Sequence, residues 1–117
     1  MNQGATSAVG KILFVCIENS SRSVMAEGFA KKLGLNASSG GTFPASHTNP
    51  LVVVAMREAG VDVSKNSPKD LTEKMIDEAD VEILTDASLE NSIPGNLRKR
   101  MHKRQMVKWN VRILKGG

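Results

Sequence analysis

Cysteine is nearly absent from this chain: Cys16 is the single cysteine among 117 residues. One cysteine excludes an internal disulfide and a four-cysteine zinc site. A metal site would have to use His47, His102 and carboxylates, which lack ligand spacing, so we expect no metal and no cofactor. An isolated cysteine is most often a small buried hydrophobic residue. Its neighbours must therefore decide whether this thiol is structural or reactive.

Aromatic residues and long apolar runs are also scarce. Aromatics make up 3% of the chain, with no tyrosine and one tryptophan, and no apolar run approaches the ~20 residues that span a bilayer. The small, polar residues 1–10 lack the charged start and apolar stretch of a signal peptide. We therefore expect a cytoplasmic protein that does not cross a membrane. Its expected organisation is a flexible tail over 1–10 and a single α/β domain over 11–117.

Acidic residues are missing from the C-terminal part. The net charge is +4, yet residues 97–117 carry eight Lys or Arg and no acid, whereas residues 1–96 carry eight Lys or Arg and twelve acids. Such a basic block can bind nucleic acid, form a solvated face or attract a phosphorylated substrate. With Trp109 as its one aromatic residue, nucleic-acid binding is the least favoured of these functions.

The hydrophobic pattern alternates between strands and helices. The expected strands are residues 11–15, 36–39, 81–84 and 106–111, with Gly40-Gly41 as a turn. The expected helices are residues 23–33, with a stripe of Met25, Phe29 and Leu33, then 51–59, 70–79 and 97–102. Asn49-Pro50 is typical of a helix start, and Thr72 is a candidate cap. This alternation predicts βαβ units and a parallel sheet with helices on both faces.

The position of Cys16 favours a reactive thiol. It follows the first strand and precedes the first helix, at the carboxyl end of a parallel strand where such sheets bind ligands. A loop there directs backbone N–H groups and a helix N-terminus at a bound dianion, and the same field favours a thiolate. Arg22 can hold two phosphate oxygens. Hydroxyls of Ser20, Ser21 and Ser23 surround the site.

The segment Ile12-Leu-Phe-Val-Cys16-x-x-Asn19-Ser-x-Arg22-Ser23-x-Met25-Ala26-Glu27 resembles the opening of the low-molecular-weight protein tyrosine phosphatases and the related thioredoxin-coupled arsenate reductases. The resemblance implies a flavodoxin-like four-stranded parallel sheet of order 2-1-3-4. It also implies a CX5R phosphate loop formed by Ile17, Glu18, Asn19, Ser20, Ser21 and Arg22. Cys16 is then the nucleophile, Arg22 the phosphate clamp, Asn19 the brace of the loop and Ser23 the partner of the thiolate.

The chain departs from this family at its second half. Ile113-Leu114 stands where the family has the Asp-Pro of its general acid, and the final helix is expected to be missing. Glu18, Asp86 and Glu90 are the remaining candidates for a proton donor. The reductases use two further cysteines, and this chain offers none. With three substantial helices, we also expect an exposed apolar strip or a homodimer that covers it.

The function expected from these observations is a cysteine-dependent phosphatase acting through a phosphocysteine on an aryl phosphate or phosphotyrosine protein. Two alternatives stay open. One is an arsenate reductase that uses an external thiol, and the other is a phosphate-binding module with weak catalysis. A phosphocysteine carrier is disfavoured because Arg22 would hold the phosphoryl group that a carrier must release.

Overall fold

A parallel sheet forms the centre of the protein. The computed structural model describes residues 10–85, 87–101 and 106–108. The strands are β1 (Lys11–Cys16), β2 (Asn36–Gly41), β3 (Val81–Leu84) and the short β4 (Met106–Lys108). The helices are α1 (Arg22–Lys32), α2 (Pro50–Glu58), α3 (Glu73–Glu78), a 3-10 helix (Ala87–Ser92) and α4 (Gly95–Arg98). The sheet order is β2-β1-β3-β4, with every pairing parallel, so the expected parallel α/β architecture is confirmed.

The strand β1 is the axis of this sheet because both of its faces are covered. Leu13 and Val15 are fully buried in a core that includes Ile76 of α3 and Leu97 of α4. Ile12 and Phe14 point to the opposite face, where they pack with alanines of α1. A strand buried on both faces reads as a continuous apolar run, which explains why it was recognisable in the sequence.

The helix α1 has a wider buried surface than the sequence predicted. Met25 is buried, but Phe29 and Leu33 are 43% and 77% exposed, so the expected stripe of these three residues is wrong. Ala26 and Ala30 face the sheet instead, because small residues at this spacing let the helix approach β1 and β2 closely. Val24 and Met25 pack against α2.

The helix α2 begins as its sequence predicts. The side chain of Asn49 accepts a hydrogen bond from the Leu51 N–H at 2.9 Å, and Pro50 occupies the first helical position. Val52 and Met56 are buried against α1, and the chain leaves the helix through Gly60 with φ +84°. Met25 and Met56 lie in the core between α1 and α2. Met75 is partly buried and packs against the core on the other face of the sheet, which contains Leu13 and Val15.

Two predicted elements were wrong near the end of β2. Gly40 and Gly41 belong to the strand rather than to a turn. The third helix starts at Glu73, not at Asp70, and the predicted Thr72 cap accepts from the Met75 N–H at 3.2 Å. The strand continues because Gly40 and Gly41 pair with Val15 and Cys16 of β1. The helix starts late because residues 69–71 hydrogen-bond to Gly41 like a short strand.

The predicted C-terminal helix is shorter and starts earlier than expected. The basic helix expected over 97–102 is the single turn α4, which starts directly after Pro94 and ends at Arg98. Its described neighbour Arg100 is paired with Asp77 of α3 at 2.7 Å, so part of the basic block is neutralised. The last strand is described over Met106–Lys108, and the rest of the predicted strand, 109–111, lies outside the described residues. The predictions for Trp109, Ile113, Leu114, Asp86 and His102 lie outside the described residues.

Within the described ranges, the structure contains no helix long and apolar enough to cross a membrane.

The burial of Leu13 in β1 leads to a prediction about the free energy of unfolding. Leu13→Ala should lower the free energy of unfolding by about 2–5 kcal/mol, because a fully buried leucine leaves a cavity. Leu51→Ala is the matched control: its side chain is 70% exposed, and its loss should change stability by about 0.5 kcal/mol at most. Urea denaturation measures both. Equal losses would contradict the assignment of β1 to the core.

Candidate active site

The site lies where β1 ends and α1 begins. Cys16 is the last residue of β1 and is half-buried, so its sulfur is protected yet reachable. The Asn19 backbone N–H donates to Cys16 Sγ at 2.9 Å, and the Ser23 hydroxyl lies 2.8 Å from the same sulfur. The resemblance implies Ser23 as the partner of the thiolate, and the structure places Ser23 Oγ and Cys16 Sγ within hydrogen-bonding distance.

Asn19 organises the interior of the loop. Its φ of +51° is in the left-handed region, which asparagine tolerates better than most residues. Its side-chain oxygen accepts from the Lys69 N–H at 2.8 Å, and this contact fixes which end of the amide is the donor. The amide nitrogen then donates to Ser23 Oγ and Ser39 Oγ, each at 2.9 Å. Asn19 therefore joins the loop to the Lys69 backbone, to α1 and to β2, in the part of the loop where the resemblance implies a brace.

The direction of these hydrogen bonds matters for the sulfur. Ser23 is fully buried, and its oxygen already accepts a hydrogen from Asn19. Among its described contacts, Cys16 Sγ is the remaining group that can receive the Ser23 hydroxyl hydrogen. The sulfur then accepts from two donors, an arrangement that suits an anionic thiolate better than a neutral thiol.

A second loop, residues 42–49, hydrogen-bonds to the outer side of the loop that follows Cys16. The carbonyls of Cys16, Ile17, Glu18 and Ser20 accept from the N–H groups of Thr42, Phe43, Ala45 and Asn49, at 2.7–3.0 Å. Because these carbonyls point outward, the peptide groups of the loop present their N–H sides toward its interior. Such a concave array of N–H groups is a typical anion-binding geometry.

Gly41 makes this packing possible. A Cβ atom at this position would lie 2.5 Å from the Ile17 carbonyl oxygen and 3.0 Å from the Asn19 nitrogen. Both atoms belong to backbone that the hydrogen bonds described above hold in place. Position 41 at the end of β2 is therefore a glycine because the loop after Cys16 passes directly against it, and not because the chain turns there.

Arg22 and the start of α1 complete the electrostatics. Arg22 is half-buried at the first position of α1, and the first turn of this helix contains no acid. Ser21 precedes the helix without a side-chain capping bond, and its hydroxyl instead accepts from the amide nitrogen of Asn49 at 3.4 Å. The positive end of the helix dipole lies beside the sulfur, because Ser23 in the first turn of α1 contacts Cys16 Sγ.

Two loop residues and one neighbour form the exposed rim. Ile17 and Glu18 are exposed, and the Ser20 hydroxyl donates to the Glu18 carboxylate at 3.4 Å. Phe43, which the sequence analysis did not single out, is 77% exposed, and its N–H binds the Ile17 carbonyl at 2.7 Å. The rim thus offers apolar surface from Ile17 and Phe43 beside the acidic Glu18.

The candidate proton donors are not brought to the sulfur by any described contact. Glu18 lies on the rim, Asp86 is outside the described residues, and the side chain of Glu90 is not described. His47 is exposed, with its Nδ1 2.9 Å from the Ser46 hydroxyl, as expected for a surface residue. Within the described ranges, no cluster of three or more potential metal ligands occurs.

Sequence reasoning missed Ser39 and Glu27 as parts of the site. Ser39 is fully buried in β2, and its hydroxyl donates to the buried carboxylate of Glu27. A run of serines and glycines in a predicted strand is unusual, because these residues pack poorly in sheets. That run was the available signal that β2 serves the adjacent loop as well as the core.

The close approach at Gly41 can be tested directly. Gly41→Ala should push the loop outward and reduce by at least tenfold the protection that arsenate or phosphate gives Cys16 against alkylation. Gly95→Ala is the control, because a Cβ there meets no atom within 4 Å. Circular dichroism would verify that both variants fold. Wild-type protection in Gly41→Ala would show that the loop does not depend on this contact.

Comparison with known proteins agrees with this geometry. The profile of the low molecular weight phosphotyrosine protein phosphatases matches residues 11–115. Arsenate reductase 2 of Staphylococcus haemolyticus is 32% identical over 94 residues, which are 75% of this chain and 71% of the relative. The arsenate reductase of Bacillus licheniformis is 45% identical over 75 residues, 62% of this chain and 53% of the relative, so the match spans about half of that protein.

A solved structure shows the same fold. The low molecular weight protein tyrosine phosphatase from T. tengcongensis superimposes with a TM-score of 0.66 and 28% identity, covering 85% of this chain and 72% of that one. The resemblance inferred from the residues around Cys16 is thereby confirmed. The chain belongs to the low molecular weight phosphotyrosine protein phosphatase family.

Proposed function

We propose that this protein reduces arsenate, with Cys16 as the nucleophile and a thiol from outside the chain as the reductant. The observation that carries the proposal is that Cys16 Sγ accepts a hydrogen bond from the Asn19 N–H in the loop before α1, in a chain with one cysteine. The named relatives of highest identity, among those described above, are arsenate reductases. Arsenate reduction is therefore favoured over the hydrolysis of phosphate esters, the function expected from the sequence.

The reaction begins with a bond from sulfur to arsenic. The Cys16 thiolate attacks arsenic(V) of arsenate, an As–S bond forms, and one oxygen leaves as water after protonation. The inward N–H groups of the loop and the guanidinium of Arg22 would hold the remaining oxygens, and these contacts strengthen as charge develops on them. The helix N-terminus favours the same charge.

The electrons then come from two external thiols. The first attacks Cys16 Sγ: an S–S bond forms, the S–As bond breaks, and its electron pair stays on arsenic, which leaves as arsenite. The second thiol attacks the mixed disulfide, releases the external disulfide and regenerates Cys16. Each arsenite therefore consumes two external thiols, since the chain has no second cysteine to supply one.

Steady-state kinetics with a small monothiol tests this proposal. Arsenite should accumulate with two thiols oxidised per arsenite, and Cys16→Ser should reduce the rate to that of the uncatalysed thiol reaction. Arg22→Lys should keep a positive charge but lose the two-pronged contact, with a decrease of about 10²-fold. A wild-type protein that binds arsenate without producing arsenite would instead be a phosphate-type binding module.

Hydrolysis of phosphate esters is the second candidate, and the apolar rim favours it. Ile17 and Phe43 could contact the ring of an aryl phosphate or of a phosphotyrosine protein, a surface that arsenate itself does not need. The thiolate would attack phosphorus, the ester oxygen would leave, and water would hydrolyse the phosphocysteine. The leaving oxygen must acquire a proton, and the described contacts bring no carboxylate to it.

The described contacts bring no carboxylate to the leaving oxygen, and this makes the phosphatase activity testable. Proton donation is typically worth about 10²- to 10⁴-fold in rate. The rate of phosphocysteine formation should therefore fall steeply as the leaving group becomes more basic, from p-nitrophenol to phenol to an alkyl alcohol. Phe43→Ala should weaken the binding of aryl phosphates and leave the rate of arsenate reduction unchanged. A flat dependence on the leaving group would reveal a donor, and Glu18→Gln is the first variant to test.

A further inference from the structure

A cleft of about 490 Å³ runs along α1, and its lining residues are distinct from those of the loop after Cys16. One wall is a face of α1, and the other is the segment 60–66 that follows α2. The lining of the first wall extends from Val24 to Lys32, which is about 12 Å of helix. A cleft of this volume and length suits an elongated small molecule.

The middle of the cleft is apolar and open. Val61 and Val63 form its floor opposite Gly28 of α1. A Cβ atom at position 28 would lie 3.1 Å and 3.5 Å from the side chains of these two valines, so a glycine here keeps the two walls close and leaves the space above them free. Among the described residues that line the cleft, none is aromatic. The surface therefore suits an aliphatic chain better than a stacked ring.

An exposed lysine lies toward each end of the cleft. At one end, Lys32 Nζ donates to the Ala59 carbonyl at 2.8 Å. The segment 60–66 starts there and runs along α1 in the opposite direction, as its contacts opposite Gly28 show. Lys65 therefore lies toward the other end. The described contacts include no ion pair between either lysine and a carboxylate, so both ammonium groups remain available to an anion.

The two acids of the cleft are already engaged with other groups. Glu27 is 7% exposed, accepts from the Ser39 hydroxyl and lies 2.6 Å from Nζ of Lys31. Asp62 accepts from the Ser64 N–H at 2.9 Å, and hydrogen bonds from the side chain and backbone of Ser64 lower the pKa of its carboxyl. The lysines at the two ends are therefore the charges with which a ligand would interact.

One lining residue of the cleft is also bonded to the wall of the active site. The side-chain amide of Asn66 donates to Thr48 Oγ1 at 3.0 Å, and the Thr48 hydroxyl donates back to the Asn66 carbonyl at 3.1 Å. Thr48 is buried, and the N–H of its neighbour Asn49 donates to the Ser20 carbonyl at 3.0 Å. Two residues thus connect the cleft to the outer side of the oxyanion loop.

We propose that this cleft is a second binding site, which takes a linear aliphatic dicarboxylate. One carboxylate binds Lys32, the other binds Lys65, and the methylene chain lies over the two valines. Two anionic groups match the two cations, and the apolar chain matches the floor between them. The site lies apart from Cys16 and goes beyond the proposed function.

The bound dicarboxylate acts on the active site through the bonds between Asn66 and Thr48. A ligand that bridges the two walls restrains the segment 60–66 and, through Thr48, the 42–49 loop that holds the oxyanion loop. Oxyanion binding then requires less ordering, so its affinity rises. The coupling is reciprocal, and an oxyanion at Cys16 strengthens dicarboxylate binding by the same factor.

Isothermal titration calorimetry with suberate tests the site. Suberate should bind in one saturable equilibrium, and Lys32→Met and Lys65→Met should each raise its Kd about tenfold, because each variant removes one charge-assisted contact. Lys74→Met is the control, since it removes an 83% exposed lysine of α3 outside the cleft and should leave the Kd unchanged. Succinate, which is too short to reach both lysines, and octanoate, which has one carboxylate, should bind more weakly than suberate.

Three results of the titration would overturn the site. They are no saturable binding of suberate, equal binding of suberate and succinate, and an unchanged Kd in either variant of the two end lysines. Circular dichroism verifies the fold of each variant. If Lys32→Met unfolds because the Ala59 carbonyl loses its donor, Lys32→Gln takes its place and must show the same rise in Kd.

The coupling is measured at Cys16 with phosphate as the oxyanion. Saturating suberate should lower by about fivefold the phosphate concentration that half-protects Cys16 against iodoacetamide, and suberate alone should give no protection. Thr48→Val keeps the shape of the side chain but removes both hydrogen bonds with Asn66, so it should abolish the shift while suberate still binds. Binding without a shift in the wild-type protein, or an equal shift in Thr48→Val, would refute the connection.

These outcomes are independent of arsenate reduction. A protein that binds phosphate and suberate in this coupled way but produces no arsenite refutes the proposed function and leaves the second site standing. Normal arsenite production without suberate binding refutes the second site alone.

Discussion

The left-handed conformation of Asn19 is the constraint on which the site depends. It turns the backbone N–H toward Cys16 Sγ and the side chain into the buried interior, between β2 and the start of α1. From that one position the residue contacts the Lys69 backbone, Ser23 and Ser39. The loop is therefore preorganised, so that an oxyanion would meet donors already in place, without the cost of ordering them at the moment of reaction.

The surrounding fold serves to keep that loop in place. The 42–49 loop binds its outward carbonyls, and Gly41 lets the backbone of β2 approach without a side chain between them. Behind it, β1 is buried on both faces and provides a rigid base for Cys16. Rigid elements position reactive groups more accurately than loops do, and here a loop acquires that accuracy through contacts on each side.

The elements that carry a strong local signal could be predicted from the sequence. The apolar run of β1, the Asn49-Pro50 start of α2 and the position of Cys16 between strand and helix each follow from one short segment. The errors arose where distant segments decide the structure. Gly40 and Gly41 continue β2 because they pair with the end of β1, and residues 69–71 hydrogen-bond to Gly41. Phe29 is exposed because alanines, not the larger residues, face the sheet. The Glu27–Ser39 contact joins residues twelve positions apart, and the serine and glycine run of β2 does not indicate which residue Ser39 contacts.

The central claim is that Cys16 itself transfers electrons from an external thiol to arsenate. Intact-protein mass spectrometry after incubation with arsenate and a small monothiol at limiting concentration tests it most directly. We predict a mixed disulfide between Cys16 and the monothiol that requires arsenate, is missing when phosphate replaces arsenate, and disappears as more thiol is added. Arsenite formation without this adduct, or an adduct that forms equally well without arsenate, would contradict the account.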